Sequence, residues 1–366
     1  MGNHRGICLD KRNFFLYNGN VPNTTLNLPM KRSPTILDVA KAAGVSKSTV
    51  SRVIADNGQG VSEATKQRVL KAIEELGYAP NAIARSMRTT RTNIIMLAIP
   101  DITNPYWPEV ARGVQDVMDE EGYAVVFANS DWDEQRERAY LDMAKRNRFD
   151  GILINPVQIS SRELQAYDIP TVVLGTRGAY GTFDRVGADS YSGIYMATEH
   201  LISLGHRRIG LVLGQRQSNA RDTRLAGYQD ALTAAGIPMQ EDMILKVPFM
   251  RQGGKKAFQA FMQLSKPPTA MVCANDIIAL GALQAAHEAG IKVPDEISIT
   301  GLDDIDAAAS TTPPLTTVSK PKYDIGRQAA IFLLERIRGE GPDAPRRLIF
   351  AGQLQVRGTT APPPGS

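Results

Sequence analysis

The sequence predicts the α/β fold class: a two-lobed core of doubly wound parallel sheets, preceded by a small all-α head. Three short helical patterns lie within residues 35–78, which predicts the head. From residue 94 onward, apolar runs of strand length alternate with patterns of helix length, as parallel α/β layers require. These runs form two sets, in residues 94–187 and 208–301, which indicates two lobes.

Length and charge agree with this division. The chain has 366 residues, enough for two or three folding units. Residues 1–92 hold 14 Lys and Arg against 6 Asp and Glu, whereas residues 93–366 hold 28 against 32. A basic head on a mildly acidic body favours a polyanionic partner for the head alone, with a solvated basic surface as the alternative.

The cysteines and the N-terminal residues indicate the compartment. Cys8 and Cys273 lie far apart and form no disulfide framework, which favours a reducing environment. Residues 1–30 lack the apolar core of a signal peptide, and no apolar run reaches the roughly 18 residues of a membrane span. We therefore expect a cytoplasmic protein with no membrane partner. Residues 1–30 have no periodicity and are interpreted as a disordered extension, or as sequence upstream of a natural start at Met30.

Helix signals define residues 31–78 as the head. The segment "TILDVAKAAG" (35–44) begins with a capping threonine and ends at a glycine. Ser46 is positioned to cap a second helix. The segment "VSEATKQRVLKAIEELGY" (61–78) predicts a third helix, whose apolar stripe consists of Val69, Ala72, Ile73 and Leu76.

Residues 79–93 are predicted to form a linker that becomes a hinge helix on a partner. Only Ile83 and Met87 make an apolar face in it, and a helix this short is marginal alone in water. Three arginines, beginning with Arg85, add positive charge. We expect this segment to order only when it binds.

The second helix, in "GVSKSTVSRVI" (44–54), has two distinct faces. One face carries Lys47, Ser48, Ser51 and Arg52, and the other carries Val50, Val53 and Ile54. Short polar side chains with Lys and Arg suit base edges and phosphates in a major groove, and the helix N-terminus at Ser46 suits a phosphate. Two helices joined by a tight turn form a helix-turn-helix. A solvated bundle face is the alternative, but the local positive charge favours double-stranded DNA.

Polar and aromatic residues follow several predicted strands of the body, where ligands bind in open α/β sheets. They are Asn104, Tyr106, Trp107, Asp131, Arg224, Phe249, Asn275 and Asp303. Arginine, carboxylate and amide groups beside aromatic faces suit a sugar. A helix cap explains Asn275 and lobe packing explains Trp107 equally well, whereas Arg224 is the hardest to explain by packing. The glycine-rich loop 175–183 is a candidate to close over the ligand.

Specific motifs continue along residues 34–357. The head segments are followed by "NPYW", "RLAGYQDAL", "CANDIIALGAL", "VPDEISITGLDD" and "PPLTTVSKP". Together they resemble the LacI–GalR family of bacterial transcriptional regulators. The resemblance implies a periplasmic-binding-protein-like core behind a helix-turn-helix head. It also implies a homodimer that reads a pseudo-palindromic operator in the bacterial nucleoid. Tetrameric members of the family carry a heptad tail, whereas this chain ends in Pro and Gly, so we expect a dimer.

The resemblance assigns DNA-binding roles to the second helix. Lys47 and Ser48 match the main base-reading pair of the family, and Arg52 matches a further base contact. Thr49 and Ser51 lie alongside as phosphate contacts.

It assigns further roles to the linker. Asn81 and Ala84 fall in the family's hinge helix, which folds in the minor groove. The positively charged Arg85 beside them is a further candidate for DNA binding. Met87 matches the apolar wedge that intercalates at the operator centre, where most members have leucine.

For residues 94–366 the resemblance implies an effector-binding and dimerisation domain. Family effector contacts match Tyr106, Trp107, Arg224, Phe249, Asn275 and Asp303. The expected first lobe comprises residues 94–188 and 319–338. The expected second lobe comprises residues 189–316 and 339–357.

Three classes of function compete. An enzyme would need a catalytic constellation, but no Walker loop, G-x-S-x-G or H-E-x-x-H occurs and the histidines lack ligand spacing. We therefore expect no catalytic residues, metal or cofactor. A solute-binding protein for transport would share the core but need a signal peptide and not residues 31–92. The sequence favours a sequence-specific DNA-binding regulator, most simply a repressor. Its effector is a small molecule, with a sugar favoured and a nucleobase also possible.

Overall fold

The computed structural model of the protein describes residues 34–55, 60–78, 91–214 and 223–365. The chain divides into two compact units, the first ending at Ala84 and the second beginning at Arg85. The predicted extension 1–30 and nearly all of the predicted hinge 79–93 lie outside the described residues.

The described residues of the first unit form three helices: α1 (Ile36–Ala43), α2 (Lys47–Ala55) and α3 (Glu63–Leu76). At the start of α1, Thr35 and Asp38 form a reciprocal capping box, and Gly44 ends the helix in the left-handed conformation with a φ of 64°. The buried cluster consists of Val39, Ala40, Ala43, Val50, Val53, Val69 and Ala72. Leu76, predicted to join this core, lies in the last turn of α3 and is 36% exposed. A unit this small has too little interior to cover it.

The first lobe of the second unit is a parallel sheet with helices around it. Its strands are β1 (Ile94–Ile99), β2 (Ala124–Asn129), β3 (Gly151–Ile154), β4 (Thr171–Leu174), β5 (Asp184–Ala188) and β11 (Arg347–Phe350), in the order β11-β5-β4-β3-β1-β2. Its helices are α4 (Tyr106–Glu120), α5 (Glu134–Arg146), α6 (Ser161–Gln165) and α12 (Lys322–Arg338), with a 3₁₀ turn at Gly178–Tyr180.

The second lobe repeats this plan. Its strands are β6 (Ile209–Gly214), β7 (Ile244–Val247), β8 (Ala270–Cys273), β9 (Ser298–Asp303), β10 (Thr316–Ser319) and β12 (Gln353–Gln355), in the order β12-β10-β9-β8-β6-β7. Of these described strands, β12 alone runs antiparallel to its neighbour. Its helices are α7 (Ser190–Ser203), α8 (Thr223–Ala234), α9 (Arg251–Met262), α10 (Asp276–Glu288) and α11 (Asp306–Ala309), with a 3₁₀ turn at Glu241–Met243.

The two sheets and the helical head confirm the predicted fold class. Strands β3, β4, β6, β8 and β9 are buried at every position, which explains why they read as continuous apolar runs rather than alternating ones. Two apolar clusters fill the first lobe and one fills the second. None of the helices in the described part of the chain has the length and apolar character needed to cross a bilayer.

Within the described residues, the chain crosses between the lobes three times: after β5, between β10 and α12, and between β11 and β12. The third crossing corrects the predicted lobe boundaries, because residues 339–357 were assigned wholly to the second lobe. Instead β11 is the edge strand of the first sheet, where Arg347 to Phe350 pair with Arg185 to Ala188. A four-residue strand carries no local sign of which sheet it joins, so long-range pairing decides its place. The segment "TTPPLTTVSKP" does pass from the second lobe to the first, as predicted.

A buried carboxylate fastens β11 and α12 to the first sheet. Asp184 accepts hydrogen bonds from Arg336 Nε at 2.9 Å and from the backbone nitrogen of Arg346 at 2.7 Å. Its side chain is fully buried and ion-paired with both guanidinium groups. Burial by itself raises the pKa of Asp184, but the hydrogen bonds from Arg336 and Arg346 outweigh this effect and lower the pKa to about 2.

We expect Asp184→Asn to lower the free energy of unfolding by about 3 kcal/mol at neutral pH, since two arginines lose their shared counter-charge. A carboxyl group whose pKa is lower in the folded than in the unfolded chain stabilises the fold at pH values above its unfolded-state pKa. The contribution is therefore complete above about pH 4 and is lost as the pH falls towards 2. Urea unfolding across this range measures both effects. The exposed Asp295→Asn is the control, and an Asp184→Asn protein as stable as wild type at pH 7 would contradict the assignment.

Candidate functional site

The first candidate site is the outward face of α2 in the head. Lys47, Ser48 and Arg52 are exposed there, while Val50 and Val53 on the opposite face are buried. Thr49 and Ser51 are partly buried at its border. The helix therefore has the two faces that its sequence predicts. Contact of these side chains with DNA remains a prediction.

The N-terminus of α2 is organised by Ser46. Its hydroxyl oxygen accepts a hydrogen bond from the backbone nitrogen of Thr49 at 3.1 Å, which caps the helix as predicted. The same hydroxyl lies 2.7 Å from Ser48 Oγ and 2.8 Å from Thr49 Oγ1. Three hydroxyl groups thus meet at the positive end of the helix dipole, beside Lys47, an arrangement that suits a phosphate.

The other predicted DNA-binding residues belong to the hinge. Asn81, Ala84, Arg85 and Met87 lie outside the described residues. Their assigned roles in the minor groove stay predictions.

The second candidate site is a cavity between the two lobes of the core, with a volume of about 850 Å³ including its open mouth. Seven of the eight predicted effector residues line it: Asn104, Tyr106, Trp107, Arg224, Phe249, Asn275 and Asp303. The first three come from the first lobe and the other four from the second. The cavity therefore brings together residues almost 200 positions apart in the chain.

Aromatic side chains form two of its walls. Trp132 and Phe249, from opposite lobes, stack with ring centres 5.2 Å apart and planes at 9°. Tyr106 and Trp107 meet edge to face at 5.0 Å. Trp107 is only 7% exposed, so it serves lobe packing as well as lining the cavity. Trp132, which is not among the predicted effector residues, therefore offers the more accessible indole for stacking on a ligand.

An ion pair lies at the crossover between β10 and α12. Lys320 Nζ is 2.8 Å from Asp303 Oδ1, and both side chains are buried. The same ammonium group lies 5.6 Å from the centre of the Tyr106 ring. Burial lowers the pKa of Lys320, while Asp303 opposes this effect and Arg224 adds to it. Burial, followed by Asp303, raises the pKa of Tyr106, so its hydroxyl remains a neutral hydrogen-bond donor.

A second lysine joins the lobes below the cavity. Lys322 Nζ donates to the carbonyl oxygens of Asp303 at 3.0 Å and Asp304 at 2.7 Å, and it lies 3.3 Å from Glu109 Oε1 in α4. Both aspartates have positive φ, 124° and 52°, so this lysine holds a backbone conformation that is unfavourable for them. The cavity-lining Asp303 is thereby connected to a helix of the opposite lobe.

The start of α10 forms part of the cavity floor. Asn275 Oδ1 caps the helix by accepting from the backbone nitrogen of Ile278 at 2.9 Å, so its capping role is real, although it also lines the cavity. Behind it, buried Asp276 accepts from the Thr317 hydroxyl and from the backbone nitrogen of Ile305. Burial and the nearby Asp303 raise the pKa of Asp276 to about 7.

Asp131 is the predicted effector residue that does not line the cavity. Its carboxylate pairs with Arg136 in α5 and accepts from Asn129 Nδ2 at 2.6 Å. Asp131 and Trp132 have positive φ values of 51° and 62°. This turn brings Trp132 to the cavity and leaves Asp131 in a surface ion pair.

Other cavity residues were missed from the sequence. They include Trp132, Asn155, Arg177, Ser190, Thr223 and Lys320. Asn155 directly follows β3. The expectation that ligands bind at polar residues after the strands of a parallel sheet, which led to the predicted effector residues, therefore applies to Asn155 as well. Ser190 and Lys320 lie where the chain passes from one lobe to the other. No local sequence pattern marks such positions, as the end of an apolar run marks the end of a strand. The loop predicted to close over the ligand contributes Gly175, Thr176 and Arg177.

The head is a helix-turn-helix with a polar, cationic outer face, and the core has a cavity between two lobes. These two features together define a class of protein: regulators that bind DNA and sense a small molecule. Comparison with known proteins identifies the family. The family model described as bacterial regulatory proteins, lacI family, matches residues 35–81, and the periplasmic binding protein-like domain matches residues 198–360. The chain belongs to the LacI family of bacterial transcriptional regulators.

Individual relatives are similar over almost their whole length. The transcriptional regulator DegA of Bacillus subtilis is 34% identical over 90% of this chain and 98% of its own. The transcriptional repressor CytR of Escherichia coli is 35% identical over 89% and 96%. The lac repressor dimer bound to operator and the anti-inducer ONPF has a TM-score of 0.80 at 27% identity, over 90% of this chain and 100% of that one. These relatives are transcriptional regulators, and this chain is a DNA-binding regulator of the same kind.

Proposed function

We propose that the cavity between the lobes binds a sugar or sugar derivative, and that this binding changes the affinity of the head for operator DNA. The observation that carries this proposal is the lining, in which amide, hydroxyl, guanidinium and carboxylate groups alternate with aromatic rings. Sugars need this combination, because their hydroxyls take several polar bonds and their apolar ring faces stack on aromatic side chains.

Related structures support a sugar. One regulator, 30% identical with a TM-score of 0.67, is described as CelR in complex with cellobiose and covers 89% of this chain and 99% of that one. A nucleobase is the second candidate, because the stacked pair of Trp132 and Phe249 lines the cavity and an outer ring face of this pair could stack on a base.

The two-lobed architecture supports a mechanism for the proposed coupling. A ligand held by both lobes changes their relative angle at the three crossovers. In a dimer that change alters the spacing of the first lobes, and hence whether the two hinge segments can pair and fold in the minor groove. A ligand that favours the non-binding form by about 2–3 kcal/mol lowers operator affinity by about 30- to 150-fold. A corepressor, which would raise operator affinity instead of lowering it, would act through the same cavity, lobes and hinge segments.

Other functions fit less well. A transport solute-binding protein needs no DNA-binding head, whereas this chain matches regulators along the head and core together. In the described part of the chain no group of three or more His, Cys, Asp or Glu side chains is placed to hold a metal ion. We propose that the protein acts as a homodimer in the cytoplasm, on operator DNA of the nucleoid.

Two measurements test this proposal together. A thermal-shift screen against sugars, sugar phosphates and purines should reveal a stabilising ligand, because a ligand bound only to the folded state raises the melting temperature. Genomic fragments retained by the protein in a gel-shift assay should then change affinity when that ligand is added. A protein that retains no genomic fragment at low ionic strength, with or without the ligand, is not the proposed regulator.

A further inference from the structure

A buried carboxylate outside the cavity holds a loop of the first lobe. Glu137 lies in α5 and is 3% exposed, and it is not among the described residues that line the cavity. Its Oε1 accepts a hydrogen bond from the backbone nitrogen of Val157 at 2.7 Å. Its Oε2 accepts from the backbone nitrogens of Gln158 at 3.0 Å and Ile159 at 2.9 Å. Three successive amide groups therefore surround one carboxylate and replace the hydration that it loses on burial.

The loop that Glu137 holds belongs to a wall of the cavity. It consists of residues 155–160, between β3 and α6, and is named the β3–α6 loop. It packs against the β4–β5 loop, residues 175–183. The two loops together are named the first-lobe wall. They supply four of the cavity-lining residues: Asn155, Gly175, Thr176 and Arg177.

Two side chains of the β4–β5 loop brace the β3–α6 loop. Tyr180, which is 4% exposed, donates from its hydroxyl group to the carbonyl oxygen of Ile159 at 2.5 Å. The guanidinium group of Arg177 donates to the carbonyl oxygen of Pro156 and lies 5.8 Å from the centre of the Tyr180 ring. The β3–α6 loop is thus fixed on two sides, because its amide nitrogens bind Glu137 and its carbonyl oxygens bind the β4–β5 loop.

The shortest path from Glu137 to the cavity is a single peptide group. The carbonyl oxygen of Pro156 and the nitrogen of Val157 belong to the same planar amide, so the two ends of this amide point in opposite directions. The nitrogen end donates to Glu137, and the oxygen end accepts from Arg177. Rotation of the amide would break both bonds together. The carboxylate therefore sets the direction of the carbonyl, and the carbonyl sets the position of the guanidinium group.

We infer that Glu137 is a positioning residue of the effector site: without touching the ligand, it fixes the first-lobe wall in the arrangement that binds the effector. The inference rests on the proposed function and adds a residue outside the cavity to it. Groups that bind a ligand must be held within about 0.5 Å of their productive positions, which a buried, multiply bonded carboxylate achieves. The wall is then preformed, and closure around a ligand is a movement of the lobes rather than of the β4–β5 loop.

Glu137→Gln tests the inference without a ligand. Glutamine has nearly the same shape, but it replaces one acceptor oxygen by an amide donor that faces backbone N–H groups and cannot accept from them. Hydrogen exchange followed by mass spectrometry on the full-length protein should be at least about 10-fold faster across the first-lobe wall and unchanged across β8 and β9. Glu134→Gln, one turn earlier in α5 and ion-paired with Arg138, is the matched control and should exchange as wild type.

The affinity for a probe ligand then connects the wall to the effector site. Cellobiose, D-ribose and adenosine are titrated calorimetrically into the wild-type protein, and the tightest binder of the three serves as the probe. Its affinity should fall about 10- to 100-fold in Glu137→Gln, because the polar groups of the wall lose their alignment. Retention of genomic DNA fragments without the probe should change by no more than about twofold, because Glu137 lies in the second unit, away from the head.

Tyr180→Phe separates positioning from a general loss of stability. It removes only the hydroxyl group that braces the Ile159 carbonyl from the other side, so it should loosen the same wall and lower probe affinity about 3- to 10-fold. In the double variant with Glu137→Gln the two losses should be less than multiplicative, because both changes release one loop. A lower stability of the whole protein would not produce this coupling. Circular dichroism and melting temperatures confirm that the variants are folded.

The outcomes separate the inference from the proposed function. Unchanged exchange across the wall in Glu137→Gln overturns the inference. Faster exchange with an unchanged probe affinity also overturns it, as do two losses that multiply fully, and in these cases the proposed function stands because the probe still binds. If none of the three probes binds the wild type, the result counts against the proposed function. Faster exchange across the wall would then still support the role of Glu137 in fixing the wall, and unchanged exchange would still overturn it.

Discussion

Replacing Arg52 by alanine is expected to abolish specific operator binding while the affinity for the effector stays unchanged. Arg52 is exposed on the outer face of α2, opposite the buried Val50 and Val53, so its loss leaves the core of the head intact. A base contact contributes about 1–3 kcal/mol, and a two-fold symmetric dimer loses it twice. Operator affinity should therefore fall by roughly 30- to 20,000-fold. Gel-shift titration measures the effect, and calorimetry with the effector is the parallel readout.

Lys71→Ala is the matched control for Arg52→Ala. Lys71 is also a cation of the head, but its side chain is 76% exposed on α3 and faces Glu75 at 3.7 Å. Its loss removes the same charge without touching α2, so operator affinity should change only slightly. Loss of effector binding in Arg52→Ala would contradict the proposal that the head binds DNA and the core binds the effector independently of Arg52.

Replacing Arg224 by alanine is expected to remove the response to the effector while operator binding persists. Arg224 lines the cavity beside Phe249. It is close enough that its charge adds to the lowering of the pKa of Lys320 and partly offsets the rise that burial causes in the pKa of Tyr106. A hydrogen bond from a charged donor contributes about 1.5–3 kcal/mol, so effector affinity should fall by roughly 10- to 150-fold. Gel shifts across an effector titration measure this change.

Arg207→Ala is the control for Arg224→Ala. Arg207 is an exposed arginine of the same lobe and donates to the carbonyl oxygen of Ile202 at 3.1 Å, away from the cavity. It should leave the response as in wild type. An undiminished response in Arg224→Ala would remove that residue from the effector site.

Much of the fold was predictable because its signals are local. Capping residues and terminal glycines predicted the ends of α1 and α3 to within a few residues. The two-faced pattern of α2 predicted which of its side chains are buried. Continuous apolar runs marked the strands, because a strand covered by helices on both sides needs no polar alternation. Helix α9 begins at Arg251, and Gly253 and Gly254 in its first turn make the helical signal weak at this end.

The candidate site was partly predictable for a different reason. In a parallel sheet all strands end at the same edge, so polar residues after strands converge whatever the details of packing. Seven of eight residues selected in this way line the cavity. The position of a residue after a strand does not determine which side chain of the turn points into the cavity. At Asp131 and Trp132 two successive positive φ values set the direction of the turn, so that Trp132 lines the cavity and Asp131 does not.

The sequence by itself determined the helical head, its exposed cationic face, the alternation of strands and helices, and the strand ends where polar groups collect. Each of these depends on residues within one or two turns of each other. Tertiary structure alone decided that β11 joins the first sheet, that Lys320 pairs with Asp303, and that arginines of opposite lobes line one cavity. These depend on which distant segments meet when two sheets dock, and the free energy of that docking is spread over the whole chain.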